Sequence, residues 1–230
     1  MRNYLHTPSI SEFSVYATTE PAAAARIPQV GRGGKQFGME ASSFQQLGAN
    51  SVVWGKASYQ NGKKYDVTWN ETSDFLLLYP YVMGDAKGGD QNYESYRLDG
   101  GYSTRHGKTC YGVDLGYRTL SEYRDRDPRP NNTVADLYAQ GGIGLNIWGS
   151  YSVGLTATAG KYKQTNELAF YNELGTQMVY HLTGIGNDFT RFSGQGKNCF
   201  YKGYSIGAEI SMASKETTGW SASAGYLFTR

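Results

Sequence analysis

Apolar and polar side chains alternate along residues 96–122, on either side of a glycine near the middle of this segment. One face carries large apolar or aromatic side chains, namely Tyr96, Leu98, Tyr102, Tyr111, Val113, Leu115 and Tyr117. The other face carries the charges of Arg97, Asp99, Arg105, Asp114, Arg118 and Glu122. Because successive side chains of a strand point to opposite faces, the segment predicts a β-hairpin with one apolar and one charged face. Gly107-Lys108 fits a type II′ turn, which would pair Tyr102 with Val113 and Leu98 with Tyr117. On the charged face, Arg118 would then lie diagonal to Asp99, within reach for a salt bridge.

The same alternation recurs along the chain and predicts about eleven strands and no convincing helix. The predicted strands are 9–18, 36–46, 51–60, 64–70, 75–83, 93–105, 109–123, 134–148, 151–164, 198–213 and 219–229, with a weaker candidate at 177–185. Asn61-Gly62 predicts a hairpin turn between the third and fourth of them. Several strands exceed the ~5–6 residues usual in soluble sheets and reach the ~9–11 that cross a bilayer.

Long and short connections alternate between the predicted strands. Residues 84–92, 124–133 and 165–197 are long and polar, whereas 106–108, 149–150 and 214–218 are short. Outer-membrane barrels have short periplasmic turns and long external loops, and a soluble sandwich has no reason to sort its loops in this way. The pattern therefore favours a barrel whose apolar face meets lipid. Its first and last predicted strands both run outward, so either a strand is miscounted or the chain is incomplete at its C-terminal end.

The composition agrees with a membrane barrel but also with a soluble, turn-rich β protein. The 230 residues include 30 Gly and 20 Tyr, and the glycine content is nearly double the usual share of roughly 7%. No run approaches the ~18 apolar residues of a transmembrane helix. The formal charge of +2 and the scattered basic residues argue against a nucleic-acid partner. The first 13 residues lack the apolar core of a signal peptide, so either the chain is mature or truncated, or the membrane interpretation fails.

Two further features leave alternatives open. Cys110 and Cys199 are the only cysteines, and a disulfide and two free thiols are equally compatible with the sequence. Residues 1–35 are expected to form an N-terminal segment with a first strand and an external loop, and residues 36–230 the remaining barrel strands.

Four segments resemble a known family. They are DFLLLYPYVMGD (74–85), RDRDPRPNNTVADL (124–137), GKYKQTNELAFYNELG (160–175) and VYHLTGIGNDFTRFSG (179–194). In order and spacing they are similar to an uncharacterised outer-membrane β-barrel family of Bacteroidota, a domain of unknown function, and the resemblance extends from about residue 36 onward. Members of that family are about twice as long and carry a signal peptide, so the resemblance implies that this chain corresponds to the N-terminal half. The family has no assigned activity and therefore implies no functional residues.

Charged residues on the predicted inner face are the candidates for lining a lumen. They are Lys56, Asp66, Arg97, Asp99, Arg105, Asp114, Arg118, Asp136 and Glu209. Buried charges must be paired or hydrated, and both an aqueous channel and a salt-bridged plug satisfy this requirement. A structural lumen is favoured over a selectivity filter. Aromatic residues near the predicted membrane interfaces are Tyr102, Tyr111, Trp148, Tyr151, Trp220 and Tyr226.

The sequence offers little for catalysis. His181, with Asp188 and Ser193 nearby in sequence, is the one enzymatic candidate, but proximity along the chain does not make a triad. No metal-ligand spacing, phosphate loop or dinucleotide fingerprint is present, so no metal or cofactor is expected.

These observations predict an all-β fold, an antiparallel up-and-down transmembrane β-barrel of about 10–12 strands that is incomplete or closed by further strands. We expect it in the outer membrane of a Gram-negative bacterium, in contact with lipid, lipopolysaccharide and other outer-membrane proteins. The expected role is porin-like, transport-related or structural, without catalytic activity. The alternatives are a barrel-embedded hydrolase that uses His181, and a soluble β-sandwich binding module. The sandwich would bury Val113, Leu115, Tyr117, Ile206 and Ile210 in a core.

Overall fold

The computed structural model describes residues 9–21, 27–148, 151–172, 178–182, 188–193, 197–214 and 219–230. Almost all of the regular structure is β-strand. The strands are β1 (Ser9–Glu20), β2 (Gly33–Gln46), β3 (Ser51–Val67), β4 (Met83–Gly84), β5 (Gly89–His106), β6 (Thr109–Tyr123), β7 (Arg129–Trp148), β8 (Tyr151–Ala169), β9 (Met178–Leu182), β10 (Asp188–Ser193), β11 (Lys197–Ser214) and β12 (Ser221–Thr229). One short helix, α1, spans Phe75–Leu78.

Among the described residues, nine strands form a single antiparallel sheet in the order β1-β2-β3-β5-β6-β7-β8-β11-β12. Strands that follow one another along the sheet also follow one another along the chain, apart from the three short strands, so the order is up-and-down. Strands β4, β9 and β10 form a separate small sheet. Within the described ranges β1 does not pair with β12. The prediction of an all-β, up-and-down, incomplete barrel is therefore confirmed.

The connections differ in length between the two ends of the sheet. At the end that we call the turn end, residues 47–50 and 107–108 link neighbouring strands. Gly107 has a φ of 59° there, and the hairpin pairs Tyr102 with Val113 and Leu98 with Tyr117, as predicted. At the opposite end, the loop end, the links are residues 21–32, 68–88, 124–128 and 170–196. The link at 124–128 is shorter than expected because β7 already begins at Arg129.

Two local predictions are wrong. Asn61-Gly62 is not a turn but lies within β3, where Gly62 pairs with Tyr93 of β5 and the tyrosine ring covers it. The predicted strand at 75–83 is instead helix α1 followed by β4. The chain leaves the sheet after Val67, where the register shifts and Asp66 and Trp69 take positive φ angles of 50° and 58°. The consecutive apolar residues of 75–83 therefore do not belong to the nine-stranded sheet, which we call the wall.

The polarity of the sheet is inverted relative to a soluble protein. On its outer face Leu98, Leu115 and Ile206 are 59%, 54% and 66% exposed. Among the described residues, thirteen polar or charged side chains are buried but only seven hydrophobic ones. The buried hydrophobic residues are Val67, Val82, Met83, Leu120, Val134, Leu168 and Val179. The core expected for a soluble sandwich is absent from the described part of the chain, because all five of its predicted residues are exposed.

Aromatic rings cover glycines on the concave face of the sheet. Each ring lies on the strand next to its glycine, in the direct register pairs Tyr16–Gly38, Trp54–Gly101, Gly62–Tyr93 and Gly116–Tyr138. In all four pairs the ring occupies the space where a Cβ on the glycine would lie. The pairing of rings with glycines therefore explains part of both the high glycine content and the high tyrosine content. A ring can lie flat on this face only where the neighbouring residue has no side chain.

Candidate functional site

Residues 68–88, which we call the plug segment, fold back against the concave face at the loop end. The segment pairs with itself, because the Trp69 and Glu71 amides donate to the carbonyls of Asp85 (2.8 Å) and Met83 (2.7 Å). The Leu182 amide donates to the Val82 carbonyl at 2.9 Å and so joins β9 to the segment. Residues Glu71 to Ser73 are fully buried. The plug segment therefore fills the concave side of the wall at this end.

Amide side chains of the wall hold the tip of the plug segment. Glu122, Asn132 and Asn166 form one register row across β6, β7 and β8. The Nδ2 atoms of Asn132 and Asn166 both donate to the Glu71 carbonyl, at 2.8 and 2.6 Å. The amide of Gln164 lies between Asn132 and the backbone of Ser73. A loop carbonyl with two side-chain donors is firmly placed, because buried polar groups are costly unless they are paired.

Arg124 is the centre of a buried charge cluster. Its NH2 group lies 2.7 Å from both Glu71 Oε1 and Asp85 Oδ2, and it donates to the Pro128 carbonyl at 2.6 Å. Both carboxylates and the guanidinium are essentially inaccessible. One arginine cannot neutralise two carboxylates, so the cluster requires either a second cation or a proton.

A proton on Glu71 would balance these charges. Burial, reinforced by a hydrogen bond to Asp85, raises the pKa of Glu71 well above its usual range. Burial also acts to raise the pKa of Asp85, but the hydrogen bond from Glu71 and the charge of Arg124 outweigh it, and the net shift is downward. Glu71 Oε2 has no donor facing it, which disfavours a negative charge on this buried carboxyl group. The cluster is then one cation, one anion and one neutral acid.

A second ion pair fixes the plug segment nearer the middle of the wall. Asp74, which precedes α1, accepts from Arg118 NH1 at 3.1 Å and from the Tyr162 hydroxyl at 3.0 Å. The sequence placed Arg118 within reach of Asp99, but Asp99 instead accepts from Arg97 at 2.8 Å and from the Tyr138 hydroxyl at 3.1 Å. The difference arises because the plug segment inserts a carboxylate that the strand pattern did not reveal.

The candidates for lining a lumen lie mostly where the alternation places them. Eight share the concave face by register, namely Lys56, Arg97, Asp99, Arg105, Asp114, Arg118, Asp136 and Glu209. Asp66 differs, because the register shift before Val67 leaves it exposed and its amide donates to Asp90 Oδ1 at 3.1 Å. Lys56 forms an ion pair with Glu40 at 2.9 Å. That these residues line an aqueous lumen stays a prediction.

The concave face is open toward the turn end. A cavity of about 690 Å³ lies there and is lined by residues of seven wall strands. Its polar lining includes Glu12, Lys56, Asp114 and Gln140. The concave side is therefore occupied by the plug segment at the loop end, and at the turn end it forms an open groove that polar and apolar residues line together.

The aromatic residues predicted at the interfaces lie on or near the outer face of the wall. Tyr102 and Tyr111 are exposed there, and near the turn end the rings of Tyr151 and Trp220 approach to 5.6 Å. The backbone of Trp148 pairs with Tyr151, and its side chain lies outside the described residues. Tyr226 is in the middle of β12 and exposed.

A second aromatic row, which the sequence analysis missed, borders the outer face toward the loop end. It consists of Tyr59, Tyr96, Tyr117 and Tyr204, and the rings of Tyr59 and Tyr96 approach to 5.0 Å. Strand β7 carries only apolar residues and glycine on this face from Leu137 to Ile147. Ten steps of about 3.3 Å, tilted by about 40°, span roughly 25 Å, the height of the apolar band of an outer-membrane barrel.

The structure assembles no recognisable catalytic or metal site in its described part. In the β9–β10 hairpin His181 faces Thr190, whereas Asp188 faces Leu182 and Ser193 faces Met178. The side chains of residues 188–193 lie outside the described set, so a triad with His181 stays untested. Cys110 and Cys199 lie toward opposite ends of the sheet and are not bonded to each other. Over the same ranges no group of His, Cys, Asp or Glu could hold a metal ion, and no helix is long and apolar enough to cross a membrane.

The four segments that carry the family resemblance contribute to the loop end, where the plug segment, the Arg124 cluster and the amide row meet. One similar solved structure is that of the outer membrane transporter YddB from Escherichia coli, at 10% identity and a TM-score of 0.46, covering 96% of this chain and 33% of that one. The chain thus spans about a third of that transporter. None of the curated proteins matches it. The family of unknown function DUF6850 matches residues 1–230, and the chain belongs to this family.

Proposed function

We propose that this protein forms part of the wall of an outer-membrane β-barrel in a Gram-negative bacterium, with its apolar face toward lipid and its polar face toward the lumen. The observation that carries the proposal is the inverted polarity of the sheet. Apolar surface exposed to water costs about 25 cal/mol per Å², and a continuous band of it between two aromatic rows is stable only against an apolar solvent. Most of the thirteen buried polar or charged residues lie in the plug segment or on the concave side of the sheet, as is typical of a barrel interior.

The open edges of the sheet support a larger barrel. In the described part of the chain, strands β1 and β12 each have one neighbour in the sheet. Unpaired backbone groups in hydrocarbon cost several kcal/mol each. We propose that further strands pair with both edges in the membrane. This agrees with the resemblance-based expectation that the chain corresponds to the N-terminal half of a barrel from Bacteroidota.

Within such a barrel, we propose a transport-related or structural role without catalysis. The mixed charges of the concave face and the open groove at the turn end are suited to hydrated polar solutes. The plug segment, anchored by Arg118 and Arg124, would restrict passage at the loop end. A salt-bridged interior of this kind favours a lumen that is closed at rest over an open, selective pore.

The test is the detergent dependence of folding. The full chain is refolded with and without micelles, and heated and unheated samples are compared by gel mobility. A heat-modifiable band that requires micelles is the expected result, and conductance across planar bilayers then tests passage of ions. A monodisperse, folded protein without detergent would contradict the membrane assignment.

A further inference from the structure

A basic cluster interrupts the outer face of the wall where the apolar band ends. On β8 the outward residues change from Leu155, Ala157 and Ala159 to Lys161 and Lys163. On β11 they change from Ile206 and Tyr204 to Lys202. We call Lys161, Lys163 and Lys202 the lysine trio, and all three side chains are exposed.

The register brings the three cations together. Lys163 pairs directly with Lys202, and Lys161 pairs with Tyr204, over whose ring its Nζ lies at 6.0 Å. Directly opposed side chains of neighbouring strands have Cβ atoms about 5 Å apart, and like charges in such a pair destabilise the sheet. The arrangement is therefore unfavourable unless an anion lies between the lysines.

No carboxylate of the described chain supplies that anion. None of the ion pairs found among the described residues includes a member of the lysine trio. Across β7 the neighbours are Ala135 and Leu137. The next outward carboxylate on β8 is Glu167, four residues from Lys163 and about 13 Å away along the strand. Elsewhere basic side chains do find partners, as Lys63 does with Asp90 at 2.9 Å.

We propose that the lysine trio binds the phosphate groups of a lipid headgroup in the leaflet at the loop end, with Tyr204 against the adjoining lipid. This inference rests on the proposed function and names its lipid partner. The cluster lies beside the aromatic row that ends the apolar band, at the depth where headgroup phosphates lie. Lysine stems extend along apolar surface while their charge stays at the interface. In the outer leaflet of an outer membrane, the matching lipid is lipid A, the phosphorylated anchor of lipopolysaccharide.

The experiment compares lipid A with the same glycolipid after its phosphates are removed, each titrated into the full chain folded in uncharged maltoside micelles. The readout is the dissociation constant of a fluorescent lipid. The test variant is Lys161→Gln/Lys163→Gln/Lys202→Gln, and the control Lys56→Gln/Lys87→Gln/Lys108→Gln removes the same charge from other surfaces. A contribution of about fivefold per lysine near an anionic surface predicts binding roughly 100-fold weaker in the test variant and little changed in the control.

The possible outcomes separate the inference from the proposed function. Every variant is first checked for the micelle-dependent, heat-modifiable band, and its loss in the unmodified chain would contradict the proposed function itself. If the chain folds but binds both glycolipids equally, or if the control weakens binding as much as the test variant, the lysine trio is not a phosphate site. If inorganic phosphate displaces lipid A at concentrations equal to the lipid, the site recognises the free anion and the assignment to a lipid is wrong.

Discussion

The substitution Leu115→Arg distinguishes between water and lipid as the environment of the outer face. Leu115 lies in the middle of β6 on that face, opposite Gly100 and Ala139 and between Val113 and Tyr117, and it is 54% exposed. In water, an arginine at such a position is expected to change stability by no more than about 0.5 kcal/mol. In a bilayer, an arginine near the midplane of a barrel's lipid face costs about 2–4 kcal/mol.

The expected loss is large enough to measure by equilibrium unfolding. A cost of about 2–4 kcal/mol lowers the folding equilibrium constant roughly 30- to 700-fold, since each 1.4 kcal/mol is a factor of ten. Urea titrations of the full chain in phospholipid vesicles, followed by the fluorescence of its four tryptophans, would report the change in unfolding free energy.

The matched control is Ser121→Arg. Ser121 is on the same strand and face, six residues and about 20 Å nearer the loop end, beyond the aromatic row. There an arginine should cost about 0–1 kcal/mol, as at a membrane interface. Equal stability of Leu115→Arg and the unmodified chain, or an equal loss in both variants, would refute the argument that the apolar band contacts lipid.

Three further predictions follow from the interior. Gly116→Ala should lower the unfolding free energy by about 1–3 kcal/mol because a Cβ there meets the Tyr138 ring, whereas Gly112→Ala, with ordinary contacts, should be neutral in the same urea titration. Asp85→Asn should lower the unfolding free energy by about 3–5 kcal/mol, because it leaves a buried arginine without its anion. Glu71→Gln mimics the protonated acid and should lower the unfolding free energy by less than about 1 kcal/mol. Equal losses in these two variants would contradict a proton on Glu71. Because the pKa of Glu71 is raised in the folded state, its contribution to stability is retained at low pH and lost as the pH rises above about 4.3 through the folded pKa. As the pH rises through that range, the unmodified chain should therefore lose stability relative to Glu71→Gln. Parallel pH profiles of the unfolding free energy in the two proteins would contradict a raised pKa of Glu71.

The wall could be predicted because its signal is local. Alternation of side chains along a strand determines which face each residue takes, and the Gly107 turn then sets the register of the β5–β6 hairpin. Eight of the nine proposed lumen residues accordingly lie on the concave face. Asp66 differs because a register shift near a positive φ leaves no trace in the alternation.

The plug segment could not be predicted because its partners are distant in sequence. The Glu71 carbonyl binds Asn132 and Asn166, which lie 61 and 95 residues away. The polar residues that bind the plug segment continue the inward alternation of β7 and β8 beyond the predicted strand ends. This continued alternation was the one signal in the sequence that pointed to a partner for the wall at the loop end. The apolar run at 75–83 resembles a strand in composition, and only its packing inside the wall reveals otherwise.

The glycine–aromatic pairs also resolve an ambiguity that polarity leaves in the wall. Sliding one strand past another by a single residue exchanges its two faces and is strongly disfavoured. A slip by two residues leaves each side chain on the face that it already occupies, so polarity cannot exclude it. Such a slip would set the Tyr138 ring opposite Asp114 or Arg118 instead of Gly116, where a side chain already fills the space. Each such pair thus fits only one of the alignments that polarity permits. Together the four pairs specify the stagger between β1 and β2, between β3 and β5, and between β6 and β7.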